Sequence, residues 1–326
     1  MQRGTVSELL IGGDFGAPFA AGDQSKKTIV IEASRKASRR YEIAATGRNE
    51  RLVRGFDRSG CWRDNRRGWC IPELAESIRE DRAIATVAFD FPFSIPLDLL
   101  QNPAFAFRVA APTFGARVKW LEFVEQRVEL VFSSGNARAK LWIDPLLLGW
   151  RDKAFWIKRA TDIATNAQPP LKHIFQNLFN MTVVGSKFLG SIRHAGMQVL
   201  LRHHEGERCL DRSVIETYPG AVAAAVGFTG SYKQKPECGL KAAEGYLREQ
   251  GIFLDFNGEV RRFCIEYRSS QSDPDGADAF LCLVAAICFR EGLAEWHTGG
   301  ATAQQLDEEG CIVTPAKLSS SSDQVE

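Results

Sequence analysis

The most constraining feature of the sequence is an unbroken apolar run of eleven residues, from Ala279 to Phe289. The run is too short to cross a bilayer, which takes about 18 or more apolar residues. A helix that is apolar on every side must instead be buried among other elements of a globular core. Asp275 and Asp278 precede the run, and because they are three residues apart they project from the same helix face. The sequence therefore predicts a core built around a central helix that carries two acids at its start.

Three other acidic residues each stand at the carboxyl end of a short apolar segment that is typical of a β-strand. Asp14 ends the segment Leu-Leu-Ile-Gly-Gly-Asp, Asp90 ends Ala-Thr-Val-Ala-Phe-Asp, and Glu216 ends Ser-Val-Ile-Glu. Ligands of open α/β sheets bind just outside the carboxyl ends of the strands, so these acids are candidates for a shared site. Taken singly, each acid is equally well explained as a turn residue or a helix cap.

The acids at the helix start strengthen the case for a metal site. Asp275 is also explained as a first-turn residue, with Asp273 as the N-cap and Pro274 as the first helical residue. That explanation does not account for Asp278, which heads the apolar run. Two carboxylates at a mostly buried helix start repel each other, and burying an unpaired charge is costly. A pair of divalent cations about 3.5–4 Å apart, Mg²⁺ or Mn²⁺, would offset that cost.

The remaining sequence predicts strands and helices around this helix. Strands are predicted over Ser7–Gly12, Lys27–Ala33, Arg40–Ala45, Ala83–Phe91 and Ser213–Thr217, and helices over Ile71–Arg82, Pro236–Gln250 and Asp273–Glu291. Turn-like breaks between the first three strands favour an antiparallel meander. We expect residues 1–96 and 208–298 to form one core, 97–207 a helical or irregular insertion or cap, and 299–326 a C-terminal extension with a disordered end.

Several segments resemble motifs of RNase H-like nucleases. Gly13-Asp14-Phe15-Gly16 resembles the first-strand motif of that superfamily, and Asp275-Gly-Ala-Asp278-Ala-Phe resembles the helix motif of the RuvC-type Holliday-junction resolvases. Across the chain, the sequence is similar to the predicted-nuclease family catalogued as domain of unknown function 429. The segments that carry this similarity are 89–96, 159–162, 215–219, 233–235, 275–279 and 309–315.

The resemblance implies an α/β fold of the RNase H type, in which a mixed sheet is flanked by helices and carries a mainly helical insertion. It also implies a nuclease that hydrolyses phosphodiester bonds of DNA or RNA by a two-metal mechanism with Mg²⁺ or Mn²⁺. The five acids it implies as catalytic, all but Asp275 also as metal ligands, are Asp14, Asp90, Glu216, Asp275 and Asp278. Gly276 follows Asp275 where relatives often carry a further acid, so the identity of the helix ligand stays open.

Charge is balanced over the whole chain but not locally. The chain has 41 Lys and Arg against 40 Asp and Glu, yet residues 35–67 contain eleven basic and four acidic residues. Aromatic residues are interleaved in and beside that stretch, namely Tyr41, Phe56, Trp62 and Trp69. Basic surfaces with stackable rings suit nucleic acid, although a solvated sheet face over core aromatics is the alternative. Lys233 and Lys235 are candidates for binding a substrate phosphate, and a solvated loop explains them equally well.

Two further functions remain open at this point. One is a non-catalytic nucleic-acid-binding or scaffold protein with a degenerate site. The other is a phosphotransferase of the sugar-kinase and actin type, which needs a duplicated domain, whereas the sequence indicates one core copy. No Gly-x-x-x-x-Gly-Lys-Ser/Thr motif supports a P-loop enzyme, and no Cys-x-x-Cys pair supports structural zinc. The chain shows neither a membrane-spanning run nor an apolar targeting segment, and we expect a cytoplasmic protein without a membrane partner.

Overall fold

The chain folds into mixed α/β layers, in which a seven-stranded mixed sheet is flanked by helices. The structure is a computed structural model that describes residues 8–15, 28–43, 71–101, 120–133, 136–141, 153, 156–172, 178–203, 211–256, 258–268 and 274–317. The strands are β1 (Leu9–Phe15), β2 (Thr28–Ala37), β3 (Arg40–Ile43), β4 (Ile84–Phe89), β5 (Val128–Ser133), β6 (Asn136–Leu141), β7 (Gln198–Leu200), β8 (Ser213–Glu216), β9 (Phe253–Phe256), β10 (Ala294–His297) and β11 (Ile312–Pro315). The helices are α1 (Ile71–Glu80), α2 (Leu97–Leu100), α3 (Trp120–Arg127), α4 (Ala160–Ala164), α5 (Leu178–Arg193), α6 (Pro219–Ala225), α7 (Pro236–Glu249), α8 (Gly258–Glu266), α9 (Asp275–Glu291) and α10 (Ala303–Glu309).

The sheet has the strand order β7-β8-β4-β1-β2-β3-β9. The first three strands form an antiparallel meander, as the sequence predicts. From β1 the sheet continues through β4, β8 and β7 by parallel pairing, so these four strands end at the same edge. Every residue of β4 and β8 is buried, and β4 has the near-continuous apolar sequence that is typical of a strand covered on both faces.

The predicted central helix is α9, and it covers one face of the sheet against β1, β2 and β4. Its residues from Asp275 to Phe289 are all buried. The helix ends at Gly292, whose φ of 75° is the left-handed conformation that glycine adopts without a Cβ penalty. Pro274 occupies the N-cap position rather than the first helical position, and Asp273 lies outside the described residues. The apolar run is therefore the centre of the core.

Helix α5 covers the opposite face of the sheet. The Phe188 ring lies 5.4 Å from that of Phe15 and 5.2 Å from that of Phe89, measured between ring centroids. These rings belong to one cluster with Phe91, whose ring centroid is 4.6 Å from that of Phe15. The aromatic residues of β1 and β4 thus form a second core layer beneath α5.

The structure differs from the predicted domain boundaries at two places. The range 97–207 contains not only helices but also the β5–β6 hairpin and β7, and β7 is an edge strand of the main sheet. Together with α5, β7 belongs to the core rather than to a separate cap. In the range 299–326, β11 pairs with β10 and is buried, so its first part also completes the core.

Two other expectations concern parts of the chain that the structure covers only in part. Residues 44–67 of the basic stretch, and the chain end at 318–326, lie outside the described residues. Among the described residues, no helix combines the length and the apolar character that a membrane crossing needs.

Candidate functional site

The carboxyl ends of β1, β4 and β8 lie side by side at one edge of the sheet. Gly13 pairs with Phe89, and Phe89 pairs with Glu216, so these three residues form one row across the parallel strands. In-register residues of neighbouring strands point to the same sheet face. A Cβ atom on Gly13 would lie 2.5 Å from the Phe89 ring, and that ring packs on α5. Glu216 therefore belongs to the face that α5 covers.

The next row of residues points to the other face. The Asp90 amide donates to the Gly13 carbonyl at 3.0 Å, and the Thr217 amide donates to the Phe89 carbonyl at 3.0 Å. These bonds continue the ladder by one residue, which places Asp14, Asp90 and Thr217 in one row. Because side chains alternate along a strand, this row faces α9.

The α9 face brings four of the predicted acids together. Asp275 and Asp278 lie in the first turn of α9 and are buried. Asp14, at the end of β1, is also buried, and Asp90 is half-buried. The elements meet closely because β1 has glycine where α9 crosses it. The cluster of Asp14, Asp90, Asp275 and Asp278 is called the acidic site below.

Burial and mutual repulsion raise the proton affinity of the acidic site. Burial raises the pKa of Asp14 well above its usual value, and the charges of Asp275, Asp278 and Asp90 raise it further. Burial raises the pKa of Asp90 to about 7, with a further rise from Asp278 that the Lys233 ammonium opposes. Interaction with the Asp275 side chain raises the pKa of Asp14 still further. A bound cation would relieve this repulsion.

The loop before α7 supplies donors to Asp278. The Tyr232 hydroxyl donates to Asp278 Oδ1 at 2.5 Å, and Lys233 Nζ lies 3.5 Å from Oδ2. Burial raises the pKa of Tyr232 well above its usual value, and the Asp278 charge adds to that rise. The predicted phosphate-binding residue Lys233 therefore lies at the acidic site. The second candidate, Lys235, is exposed and lines a groove beside it.

Glu216 is engaged by a buried arginine on the α5 face. Arg159 is fully buried, forms a short ion pair with Glu216 Oε1 and donates to Oε2 at 2.8 Å. The guanidinium also pairs with Asp162 at 2.7 Å, while the Phe93 amide donates to Glu216 Oε2 at 2.9 Å. Burial raises the pKa of Glu216 even though the Arg159 charge opposes the rise. The structure therefore places Glu216 in a buried ion network and not on the face of the four aspartates.

Sequence reasoning did not identify two residues that the geometry makes prominent. Arg159 was part of a resembling segment, but an arginine in sequence gives no sign of full burial. Tyr232 stands beside Lys233, and nothing in the local pattern shows that its hydroxyl reaches Asp278. Both contacts join residues that are distant in the chain, and a single sequence carries no signal for them.

The donor chemistry of the acidic site suits hard divalent cations. Carboxylate oxygens are the ligands that Mg²⁺ and Mn²⁺ take, and four carboxyl groups converge here. Among the described residues, however, no group of three Cys, His, Asp or Glu side chains is arranged so that it could hold one ion. Cation binding would thus require the carboxyl groups of the acidic site to change their arrangement.

Comparison with known proteins adds no relative: no protein-family model, no curated protein and no solved structure matches the chain.

Proposed function

We propose that the protein is a nuclease dependent on Mg²⁺ or Mn²⁺, with an RNase H-like core. The observation that carries the proposal is the row formed by Asp14 and Asp90, which faces the first turn of α9 with Asp275 and Asp278. Three separate parts of the chain deliver carboxylates to one place at the carboxyl edge of a sheet. Burial and repulsion between the carboxylates of the acidic site raise the pKa values of Asp14 and Asp90. A bound cation would offset that repulsion, so the site favours cation binding.

The acids would hold the ions from two sides. Asp14 and Asp90 would supply carboxylates from the sheet, and Asp275 and Asp278 would supply them from the helix. Divalent ions bound there would activate water and stabilise the leaving oxygen of a phosphodiester. Lys233 already neutralises part of the acid charge, and its ammonium would offer a contact to the phosphate of a nucleic-acid strand.

Glu216 receives a different task in this proposal. The prediction that it ligates a metal stays a prediction, and its ion pair with Arg159 argues for a positioning role. Its Oε2 holds the Phe93 amide, so Glu216 fixes the chain just after Asp90. The Glu216 charge also contributes to the raised pKa of Asp90, after burial and Asp278.

Metal binding is the first test, because it requires no choice of substrate. Titration calorimetry with Mn²⁺ and Mg²⁺ should show binding by the wild type and large losses of affinity in Asp14→Asn and Asp278→Asn. Asp255→Asn is the matched control, since Asp255 is exposed on β9 and pairs with Arg40. Hydrolysis of a labelled oligonucleotide should then require the same metal and the same two aspartates. Metal-independent hydrolysis, or metal binding that both variants retain, would contradict the proposal.

One observation favours a second candidate, a nucleic-acid-binding or scaffold protein with a degenerate site. Tyr232 and Lys233 already engage both carboxylate oxygens of Asp278, so protein donors satisfy this acid without a metal. This candidate predicts that oligonucleotides bind without being cleaved, with or without Mn²⁺. It also predicts that Asp14→Asn leaves binding intact.

A further inference from the structure

Tyr218 follows β8 and lies one residue beyond the row of side chains that contains Asp90. The chain leaves the sheet at this point, because the Tyr218 carbonyl accepts from the amides of Ala221 and Val222, at 2.9 and 3.0 Å, as α6 begins. Neighbouring strands are about 4.8 Å apart, so the start of α6 lies next to the segment that carries Asp90. Tyr218 therefore belongs to the sheet edge at which the acidic site lies.

The charged groups of the acidic site act on Tyr218. Burial raises the pKa of Tyr218, the charges of Asp90 and Asp278 add to that rise, and the Lys233 ammonium opposes it. Tyr218 in turn contributes to the raised pKa of Tyr232, whose hydroxyl donates to Asp278. Charges that lie far apart in solvent are screened, so these effects indicate short separations. The two tyrosines, the lysine and the two aspartates form one cluster.

The Tyr218 hydroxyl is a donor that the cluster does not use. Tyr218 is half-buried, and within the described part of the chain its hydroxyl makes no hydrogen bond. The ring lies against Gly220, where a Cβ atom would be 3.0 Å from ring Cε1 and 3.2 Å from the hydroxyl oxygen. Tyr232 and Lys233 already engage the two carboxylate oxygens of Asp278. The Tyr218 hydroxyl can therefore donate to a ligand that enters the acidic site.

We propose that the Tyr218 hydroxyl donates a hydrogen bond to a non-bridging oxygen of the phosphodiester that binds at the acidic site. Lys233 would act on the same phosphodiester through its charge, and Tyr218 would add a neutral, directional donor. Donors that are in place before the reaction stabilise the charge that develops in the transition state. No bond to Tyr218 forms or breaks, and its hydroxyl keeps the proton. This inference rests on the proposed function, because the acidic site holds the phosphodiester.

Tyr218→Phe isolates the hydroxyl, because it keeps the ring that lies against Gly220. The substitution removes no hydrogen bond between described residues, so urea unfolding should show wild-type stability. Titration calorimetry should show wild-type Mn²⁺ affinity as well, in contrast to Tyr232→Phe, which removes a donor to the acidic site. Tyr246→Phe is the matched control, since its hydroxyl donates to a backbone carbonyl away from the acidic site.

Two measurements report the contact with phosphate. In Tyr218→Phe, kcat/KM for hydrolysis of a labelled oligonucleotide with Mn²⁺ should fall at least about tenfold. The affinity of the Mn²⁺-loaded protein for inorganic phosphate, measured by calorimetry without any hydrolysis, should fall about tenfold. Tyr246→Phe should match the wild type in both measurements.

The outcomes separate this inference from the proposed function. A wild-type value of either quantity in Tyr218→Phe overturns the inference while the proposed nuclease stands. A loss of activity that is matched by weaker Mn²⁺ binding also overturns it, because Tyr218 would then act through the metal. A wild-type protein that hydrolyses no oligonucleotide with Mn²⁺ instead overturns the proposed function, and the inference falls with it.

Discussion

Gly12 lies directly against the backbone of Leu283, where α9 crosses β1. A Cβ atom on Gly12 would stand 2.0 Å from the Leu283 nitrogen and 2.4 Å from the Ala279 carbonyl oxygen. Both of these atoms belong to the helix backbone, so no side-chain rotation can make room. The absence of a side chain at this position allows the helix to approach the strand, and the approach brings Asp14 to the first turn of α9.

Gly12→Ala should destabilise the protein by about 3 kcal/mol, because the whole helix must move to accommodate one methyl group. Urea unfolding followed by circular dichroism measures this change. Gly245→Ala is the matched control, since a Cβ at Gly245 on α7 meets nothing within 4 Å. That control should gain about 0.5–1 kcal/mol from improved helix propensity. Equal stabilities of the two variants would show that the packing of α9 on β1 does not require glycine at position 12.

Arg159→Met should destabilise the protein strongly, by about 3–5 kcal/mol, because Asp162 and Glu216 would keep buried charges without their partner. The same denaturant titration measures the loss. Arg40→Met removes an arginine from an exposed pair with Asp255 and should have a much smaller effect. A small loss in Arg159→Met would mean that protonation of the two acids replaces the arginine at little cost.

Tyr232→Phe should weaken Mn²⁺ binding about tenfold, because Asp278 loses the hydroxyl that fixes its orientation. Calorimetry on the folded variant measures the affinity. Tyr246→Phe is the control: its hydroxyl donates to the Ala316 carbonyl at 2.6 Å, away from the acidic site. Each variant loses one tyrosine hydroxyl hydrogen bond, buried for Tyr232 and part-buried for Tyr246. Only Tyr232→Phe should change metal affinity. Unchanged Mn²⁺ affinity in Tyr232→Phe would show that the Tyr232 hydroxyl does not position Asp278 for metal binding.

The elements that the sequence predicts well are those with local signals. The meander of β1, β2 and β3 follows from short apolar segments separated by turn-forming residues. Helix α9 follows from its apolar run and from the glycine beyond its end. The convergence of Asp14 and Asp90 also follows, because parallel strands present their carboxyl ends at one edge.

The position of Glu216 was not predictable in the same way. A shift of one residue in strand register moves a side chain to the other face of the sheet. The register between β4 and β8 joins segments more than a hundred residues apart, and no local pattern specifies it. The sequence therefore predicts that Glu216 lies at the same sheet edge as Asp14 and Asp90, but it does not specify the face on which Glu216 lies. The three-residue strand β7 escaped prediction because it is too short to show alternation.

The metal-free protein should lose stability as the pH rises from about 4 to about 7. The pKa of Asp90 is raised by burial, and then by Asp278, from 3.8 to about 7, so the folded state binds this proton more tightly than the unfolded state. Its contribution to stability is full below the unfolded pKa and is lost as the pH passes through the folded pKa. Asp14, also with a raised pKa, acts in the same direction.

Thermal unfolding in EDTA across this range measures the effect as a falling Tm. Asp90→Asn should flatten the profile and should be more stable than the wild type above about pH 7, because an amide is never charged. The control Asp255→Asn changes an exposed acid and should follow the wild-type profile. Saturating Mn²⁺ should raise the Tm of the wild type above about pH 7 and have less effect at low pH, since protons compete with the metal for the same carboxylates. Two results would contradict the raised pKa of Asp90 in the metal-free protein. One is a wild-type Tm that rises with pH in EDTA, and the other is an Asp90→Asn profile parallel to that of the wild type.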